Sequence, residues 1–518
     1  MRRRSFLGYS AASIPLAFNQ LPKSLLSTKM LCSLAREQSD KILVLIELNG
    51  GNDGLNTLIP LDQYDDLAIL RPNILLPQNQ LTDLDSLHAF HPAFDSMKTV
   101  WDDAKLGIVQ SVGYASQNRS HFRSMDIWRT APNDLEVLNT GWVGRVLDED
   151  HPGYPIGYPS ANNPDPIAIT VGSSVSTTCQ GIGANFALTV NNPFEQTSIL
   201  EGAGGPVPNT PHGSELEFLR TVLKQTNIYT SIVKDRAEAG NTIATYPANN
   251  RLATQLQYVA RMISGGLETK IYTVSLDGFD THGNQVVANN AALGSHPTLL
   301  KTLADAVKAF QADLRDLGLE QRVLGMTYSE FGRRIAENGG FGTDHGNAAP
   351  MFLFGSCVNA GILGNNPTID SVTSRSEGVA MQYDFRDIYG SVLEDWFEFT
   401  ESEVKSLLSD NYVKLPILNI CGGISATDNQ STAKPEIAIS PSPFTITTHL
   451  KFSLAKKGLV RVSVYDINGT LIETLFERRL PSGEQNVQVN TTNYPSGPII
   501  FHLRQGSDVK VARAIKIR

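Results

Sequence analysis

The sequence predicts an α/β protein, with a mostly parallel sheet sandwiched by helices, followed by a small all-β sandwich domain. Continuous apolar runs recur along most of the chain, as expected for strands that are buried on both faces of a parallel sheet. Amphipathic helical patterns lie between these runs. After Leu418 the composition changes, and from Phe444 onward apolar and polar residues alternate as in antiparallel strands.

Six apolar runs predict the buried strands of the first domain, which we place at residues 41–420. The clearest helix is predicted from about His296 to Leu317, where apolar residues repeat at intervals of three and four. The predicted strands are "KILVLIEL" from Lys41, "KLGIVQSV" from Lys105, "PIAITVG" from Pro166, "KIYTVSL" from Lys270, "QRVLGMTY" from Gln321 and "PMFLFG" from Pro350.

Residues 1–40 predict a signal peptide and leader. The segment "MRRRSFLGYSAASIPLAFNQ" has a basic start followed by a short apolar run. Arg3 and Arg4, followed by Ser-Phe-Leu, resemble the twin-arginine motif, and an ordinary secretory signal is the alternative. Both interpretations place the mature protein outside the cytoplasm.

Charge and motif content argue against several classes of function. The net charge of −9 and the pI of about 5.6 argue against a nucleic-acid partner, which favours a basic face. No glycine-rich nucleotide fingerprint or P-loop is present, which argues against a dehydrogenase or kinase. The four scattered cysteines form no CxxC motif, and their even number permits disulfide bonds in an oxidising compartment.

The C-terminal part predicts a linker at residues 421–440 and a β-sandwich at residues 441–518. The linker is rich in Gly, Ser, Thr and Pro. Two hairpins are predicted in the sandwich, "LVRVSVYDINGTLIETLF" with a turn at Asn468-Gly469, and "GPIIFHLRQGSDVKVARAIKIR".

This sandwich resembles the type A sorting domain of the bacterial type IX secretion system. The resemblance is carried by "VRVSVYDINGTLIETL", "PSGPIIFHLRQG" and the basic end "KVARAIKIR". It implies that the type IX machinery is a partner. It also implies export via the periplasm to the medium or to the outer-membrane surface, with peripheral association there. A generic accessory β-sandwich, such as a carbohydrate-binding domain, is the alternative.

Polar residues follow or flank the ends of the predicted strands. In open α/β sheets, ligands bind outside the carboxyl ends of the strands. Carboxylates and imidazoles are ligands of zinc- and manganese-type sites, and guanidinium groups bind oxyanions. The sequence therefore predicts a metal or anion site at this edge. The polar residues at the strand ends fall into four groups along the chain: Asp53; Arg119, Ser120 and His121; Asp277, Asp280 and His282; and Glu330, Arg333, Asp344 and His345.

Each group has a plain structural alternative. The Asn-Asp-Gly around Asp53 is also a common tight turn. Ser120 stands where a helix begins, and is either a nucleophile at the helix N-terminus or only its N-cap. Arg119 and Arg333 either hold an oxyanion or form surface ion pairs. Asp277 is either a ligand or a brace of its loop.

The body of the chain resembles exported bacterial proteins of domain-of-unknown-function family 1501, which is related in fold to the alkaline phosphatase and sulfatase superfamily. The resemblance spans about Ile42 to Trp396. It implies an alkaline-phosphatase-like fold and a hydrolase of phosphate or sulfate esters, with one or two divalent metal ions (zinc, manganese, calcium or magnesium). The matching pieces are "LNGGNDGLNTLIP", "NRSHFRSMDIWRT", "TGWVGRVLDE", "SLDGFDTHGNQ", "TYSEFGRRIAENGGFGTDHGNAAPMFLFG" and "DFRDIYGSVLEDW".

The same resemblance implies roles for individual residues. Ser120 is similar to the nucleophile, Asp53 to a ligand of the metal nearer to it, and Asp280 and His282 to ligands of the other metal. Asp344-His345 fits two registers. It is either the adjacent pair that shares the metal with Asp53, or Glu330 belongs to that pair and His345 completes the second metal.

One expected ligand is missing in either register. A single metal is consistent with this, and so is His121 supplying the missing contact. The alternative function is a non-catalytic cell-surface or secreted binding protein that retains the fold and one structural metal.

Overall fold

The computed structural model describes residues 39–132, 135–195, 206–419, 437–440, 444–454, 457–466, 471–505 and 508–517. The chain divides into two compact units, Met1–Gly423 and Ile424–Arg518, and each unit is described by itself. The predicted signal peptide lies outside the described residues, apart from Ser39 and Asp40.

The first unit is built around one large mixed sheet. Nine described strands form it in the order β11-β5-β10-β9-β1-β8-β6-β7, with β12 paired to β5, while β2, β4 and β3 form a small separate sheet. The strands are β1 (Ile42–Asn49), β2 (Leu58–Pro60), β3 (Thr82–Asp83), β4 (His88–Phe90), β5 (Leu106–Gly113), β6 (Ala168–Val171), β7 (Ala187–Val190), β8 (Ile271–Asp277), β9 (Val323–Tyr328), β10 (Ala349–Phe354), β11 (Gly361–Leu363) and β12 (Tyr383–Asp384).

Helices cover both faces of this sheet. They are α1 (Gly54–Thr57), α2 (Tyr64–Leu70), α3 (Asp95–Asp102), α4 (His121–Thr130), α5 (Trp142–Asp150), α6 (Pro211–Ala239), α7 (Arg251–Ser264), α8 (Ser295–Asp316), α9 (Phe385–Asp395) and α10 (Glu401–Leu407). Along β1, Val44 and Ile46 pack in one core with apolar residues of α7 and α8. Leu43 and Leu45 pack in the opposite core with residues of α4, α5 and α9. This alternation is the strand period of two acting on a strand that is covered on both sides.

The predicted fold class is confirmed. All six predicted strands are present in the large sheet, and the predicted helix at 296–317 is α8. The central pairs β1–β8, β1–β9, β6–β7 and β6–β8 are parallel, whereas β10 is antiparallel to both β5 and β9. The sheet is therefore mixed and mostly parallel. None of the described helices combines the length and the apolar character that crossing a membrane requires.

The second unit consists of two antiparallel sheets, β13-β14-β17 and β16-β15-β18-β19. The strands of both predicted hairpins pair with each other, as β15–β16 and β18–β19, and the predicted turn at Asn468-Gly469 lies outside the described residues. Strand β13 lies within the residues that we predicted as linker, and it pairs with β14. The strands are β13 (Ile437–Ser440), β14 (Thr447–Leu454), β15 (Gly458–Asp466), β16 (Leu471–Leu480), β17 (Gly483–Asn490), β18 (Gly497–Gln505) and β19 (Asp508–Lys516).

Two cysteines lie in the described residues of the first unit. Cys179 is a buried free thiol, and Cys357 is disulfide-bonded. A disulfide bond agrees with a protein that folds in an oxidising compartment.

Candidate metal centre

The topology brings the predicted polar groups to one edge of the sheet. Because β8 and β9 both pair in parallel with β1, the loops that follow these three strands leave from the same edge. Strand β5 points the same way, since it and β9 are each antiparallel to β10. The first residue of β10 consequently lies at this edge, and so does the His345 loop that precedes it.

Gly50 allows the loops after β1 and β8 to approach each other. Its φ is +122°, and a Cβ atom built on it would lie 2.2 Å from the backbone nitrogen of Asp280. Only glycine fits both the conformation and the space. Asp277 accepts a hydrogen bond of 2.8 Å from Asn49 Nδ2, across the adjacent ends of β1 and β8. In the structure, Asp277 therefore braces the loop.

Three of the candidate side chains present ligand atoms to one another. One ligand atom each from His121, Asp280 and His345 lies within 4.8 Å of the other two. His345 Nε2 is 3.1 Å from Asp280 Oδ1, and His121 Nε2 is 3.4 Å from Asp280 Oδ2. His282 joins on the Oδ1 side, with its Nε2 atom 3.2 Å from Asp280 Oδ1 and 2.8 Å from His345 Nε2.

The Nδ1 partners determine how the three imidazoles are oriented. His345 Nδ1 donates to the backbone oxygen of Arg119 at 2.8 Å. His121 Nδ1 lies 2.8 Å from Glu330 Oε1, and His282 Nδ1 lies 3.0 Å from Asp344 Oδ1. An imidazole that donates through Nδ1 carries its lone pair on Nε2. All three Nε2 lone pairs thus point toward the Asp280 carboxylate or toward each other.

This donor set fits a divalent cation. Facing lone pairs repel one another unless a cation or a proton lies between them. Zinc binds imidazole nitrogen at about 2.0–2.1 Å in tetrahedral geometry, which places neighbouring ligand atoms about 3.3 Å apart. The contacts of Asp280 with the three histidines and of His282 with His345, at 2.8–3.4 Å, are close to that spacing. A carboxylate or carbonyl on Nδ1 is also the arrangement that orients metal-binding histidines in proteins.

The charges of the cluster are tuned by its neighbours. Partial burial raises the pKa of the Asp280 carboxyl, but the hydrogen bond from Arg333 and its positive charge lower it to about 2. The hydrogen bond to Glu330 raises the pKa of His121. Burial lowers the pKa of His345, which keeps its ring neutral at pH 7. Asp280 is thus a carboxylate and His345 a neutral imidazole, the protonation states that a metal requires.

Glu330 and Asp344, both predicted as ligands, contact the histidines instead. Glu330 is 2 % exposed, and its Oε1 accepts from His121 Nδ1 and from the backbone nitrogen of Gly50. Asp344 accepts from His282 Nδ1 on one oxygen and from Arg334 on the other. In this structure both carboxylates orient imidazoles and do not reach the converging Nε2 atoms.

Asp53 is not part of the cluster. Its carboxylate is 1 % exposed, and both of its oxygens accept a hydrogen bond from Arg71 Nη1, Oδ2 at 2.8 Å and Oδ1 at 3.0 Å. Gln285 Nε2 donates to Asp53 Oδ2 at 2.6 Å. Burial raises the pKa of Asp53, but the charge of Arg71 outweighs it and lowers the pKa below its usual value. The guanidinium of Arg71 supplies the positive charge that a metal would otherwise supply.

Arg333 is buried and fully engaged. Its side chain is 0 % exposed and donates to the backbone oxygens of Gly50, Gly51, Phe279 and Thr343. It also donates to Asp280 Oδ1 at 2.8 Å. Arg333 therefore ties the loops together and holds Asp280, and it is not placed to bind a substrate oxyanion as predicted.

Arg119 and Ser120 lie at the start of α4, beside the cluster. The Arg119 guanidinium is half-buried and donates to Asn347 Oδ1 and to the backbone oxygen of Ser376, both at 3.0 Å. Both acceptors are uncharged. Ser120 is the N-cap residue of α4, is exposed, and makes no capping hydrogen bond with its side chain. The nearby Ser124 is buried and hydrogen-bonded to Tyr114, Gln117 and the backbone of Glu330.

Sequence reasoning missed the partners of Asp53. Arg71 follows α2 in a loop without a recognisable motif, and Gln285 looks like an ordinary polar residue after the His282 loop. A signal for Gln285 was its place five residues after Asp280. Nothing local to Arg71 indicated that it would be fully buried.

Two family models match this chain. Residues 233–395 match a family described as a protein of unknown function, DUF1501. Residues 438–517 match the secretion system C-terminal sorting domain. Both predicted resemblances are thereby confirmed. The first match contains Asp280, His282 and His345, whereas His121 and Ser120 lie outside it.

The chain is also similar to solved structures at low identity. A sulfatase from Pseudoalteromonas sp. is 10% identical, with a TM-score of 0.34 over 90% of this chain and 88% of that chain. A phosphonate monoester hydrolase from Silicibacter pomeroyi is 9% identical, with a TM-score of 0.32 over 92% of this chain and 88% of that chain. A phosphonate monoester hydrolase from Agrobacterium radiobacter is 8% identical, with a TM-score of 0.30 over 92% and 89%. No curated protein sequence matches the chain.

Proposed function

We propose that this protein is an exported, metal-dependent hydrolase of phosphate or sulfate esters. The observation that supports the proposal best is the convergence of the Nε2 atoms of His121, His282 and His345 around Asp280. Such a cluster is costly unless a cation occupies it, because it brings unpaired lone pairs and a carboxylate together at a half-exposed surface.

One divalent ion is the stoichiometry that we propose. His121, Asp280 and His345 would hold it, with His282 as a further ligand. When bound, such an ion supplies Lewis-acid polarisation and neutralises negative charge that develops on an ester during transfer. A second ion at Asp53 is disfavoured, since Arg71 already neutralises that buried carboxylate.

Ser120 is the residue that we propose as nucleophile. Its hydroxyl is exposed and is not used to cap α4. It lies between Arg119, whose backbone oxygen holds His345, and His121, a proposed ligand. The N-terminus of the ten-residue helix α4 carries partial positive charge, which favours both an alkoxide and a bound oxyanion.

Arg119 is the proposed oxyanion contact. Among the described residues, its guanidinium pairs with neutral acceptors and with no carboxylate. Its positive charge is therefore not neutralised locally, and a guanidinium fork matches the oxygens of a phosphate or sulfate group. Arg333 does not take this role, because its buried donors are all engaged with protein oxygens.

The sorting domain indicates secretion through the type IX system. We propose further that the protein reaches the medium or the outer-membrane surface, where an exposed ester substrate is available. The sorting domain, which would contact the secretion machinery, and the proposed hydrolytic site lie on separate units of the chain.

The test combines metal analysis with an activity panel. Protein purified without chelator is assayed on aryl phosphates and aryl sulfates, beside Ser120→Ala and His345→Ala. The proposal expects hydrolysis of one ester class that both variants lose. Bound metal with no hydrolysis of any ester would favour the alternative function, a cell-surface protein that keeps one metal for binding or stability.

A further inference from the structure

The first turn of α4 carries His121 but has no side-chain cap. Ser120, the N-cap residue, makes no capping hydrogen bond with its side chain, and His121 is the first residue of the helix. The first backbone N–H groups of a helix have no partner within the helix, so an uncapped first turn is poorly held by the helix itself. The position of the His121 ring therefore depends on tertiary contacts of α4.

Ser124 makes such contacts one turn further along α4. Residues three apart lie on the same face of a helix, so Ser124 faces the same side as His121. The Ser124 hydroxyl is fully buried and donates to the backbone oxygen of Glu330. It accepts from Gln117 Nε2 at 2.9 Å. The Tyr114 hydroxyl lies 3.0 Å away and is the donor in this contact, because the hydrogen of Ser124 is already used.

These contacts attach Glu330 to α4 at both of its ends. The side chain of Glu330 accepts from His121 Nδ1 at 2.8 Å, and its backbone oxygen accepts from Ser124 and from Gln117 Nε2, the latter at 2.9 Å. Two attachments one helical turn apart fix the distance of α4 from Glu330 and the rotation of the helix about its axis. A change in either would move His121 Nε2 away from Asp280 Oδ2, which lies 3.4 Å from it.

We propose that Ser124 is a positioning residue of the metal centre, which sets the reach of His121 through Glu330. The inference rests on the proposed metal centre and on no particular ester substrate. A hydroxyl offers one donor and two acceptor lone pairs, and all three are used on protein groups at Ser124. Because it is buried and saturated in this way, Ser124 is placed to hold the centre together and not to contact a substrate.

The first test measures Zn²⁺ affinity of the full chain by titration against a competing chelator. Ser124→Ala should weaken binding about tenfold, the lower end of the loss expected when a group that supports metal ligands is removed. Ser391→Ala is the matched control. Ser391 is also a fully buried helix serine, in α9, and its hydroxyl bonds to the backbone of Asp387 and Leu415. Both substitutions should lower the melting temperature, but only Ser124→Ala should weaken Zn²⁺ binding.

A double-mutant cycle separates positioning from a general loss of structure. Glu330→Gln alone weakens the acceptor of His121 Nδ1 and lowers Zn²⁺ affinity. If Ser124 acts through Glu330, adding Ser124→Ala to Glu330→Gln should weaken binding by less than about twofold further, since both changes act on one contact. Losses that multiply in the double variant would overturn the proposal, because Ser124 would then act independently of Glu330.

Gln117→Ala keeps the test decisive if Ser124→Ala is poorly folded. Gln117 is half-buried in the loop before α4, and its side chain is the other donor to the backbone oxygen of Glu330. The variant should weaken Zn²⁺ binding at an unchanged melting temperature. A parent that binds Zn²⁺, with equal affinity in Ser124→Ala and Gln117→Ala, would overturn the positioning role alone. A parent that binds no Zn²⁺ would overturn the metal centre, and this inference with it.

Discussion

The Nε2 atoms of His282 and His345 lie 2.8 Å apart, and each ring uses its Nδ1 atom for a different partner. When both rings are neutral and donate through Nδ1, each presents a lone pair to the other, so neither ring can satisfy the other. A shared cation resolves the conflict, and the neighbouring carboxylate of Asp280 adds the charge that such a cation favours.

The carboxylates that contact the Nδ1 atoms of His282 and His121 should strengthen metal binding without being ligands themselves. Asp344→Asn weakens the acceptor for His282 Nδ1, and Glu330→Gln weakens the acceptor for His121 Nδ1. Loss of such partners typically costs about 10- to 100-fold in metal affinity. Titration with a competing chelator should show each variant binding one metal with reduced affinity. A variant that loses metal altogether would show that its carboxylate is itself a ligand.

Ser120→Ala should separate chemistry from metal binding. We expect hydrolysis to fall on the order of 10³-fold or more, as when an enzyme loses its nucleophile. Metal affinity should stay unchanged, because the serine hydroxyl makes no contact with the histidines' Nδ1 or Nε2 atoms. Ser116→Ala, an exposed serine of the same loop, is the matched control and should behave as the parent. Full activity in Ser120→Ala would show that another group is the nucleophile.

Asp53→Asn should act on stability and leave metal content intact. The substitution leaves Arg71 buried without a counter-charge, which costs about 3–5 kcal/mol. Urea denaturation measures this as a lower free energy of unfolding. Asp102→Asn removes the exposed partner of Lys98 and should have no measurable effect. Loss of the metal with an unchanged free energy of unfolding would instead show that Asp53 is a metal ligand.

His296 should make the protein less stable as the pH falls. Burial lowers the pKa of this histidine from 6.5 to about 3. Between these values the unfolded chain binds a proton that the folded chain does not, so the free energy of unfolding decreases as pH falls from about 6.5 toward 3. His296→Gln removes this titration. Denaturation at pH 7 and pH 5 should show the parent losing more stability than the variant, and equal losses would contradict the assignment.

The fold was predictable because its signals are local. Each predicted strand is an apolar run, as in Ile42–Asn49, and the period of α8 is visible over six turns. The ends of the strands are predictable as well. The sequence therefore predicts that the loops of Asp280 and His345 lie at the same edge of the sheet, whatever the order of its strands. The short strand β13 was missed, since four residues carry too little periodicity.

The assignment of ligands depended on tertiary structure. Asp280 and Asp53 both follow strands that end at the same edge, and the sequence gives no reason to prefer one of them. The difference comes from Arg71, which lies 18 residues after Asp53 along the chain and neutralises it only because the fold buries both. Likewise, Glu330 and His121 are 209 residues apart, and their contact changes Glu330 from an expected ligand into a residue that orients one.

The most direct test of the metal centre is the metal content of the parent protein and of His345→Ala, measured by elemental analysis after purification without chelator. His345 contacts Asp280, His282 and the backbone of Arg119, so its removal takes away the shared ligand of the cluster. The proposed centre predicts about one divalent ion per chain in the parent and close to none in His345→Ala, with both proteins folded. A parent without metal, or a variant that keeps its metal, would contradict it.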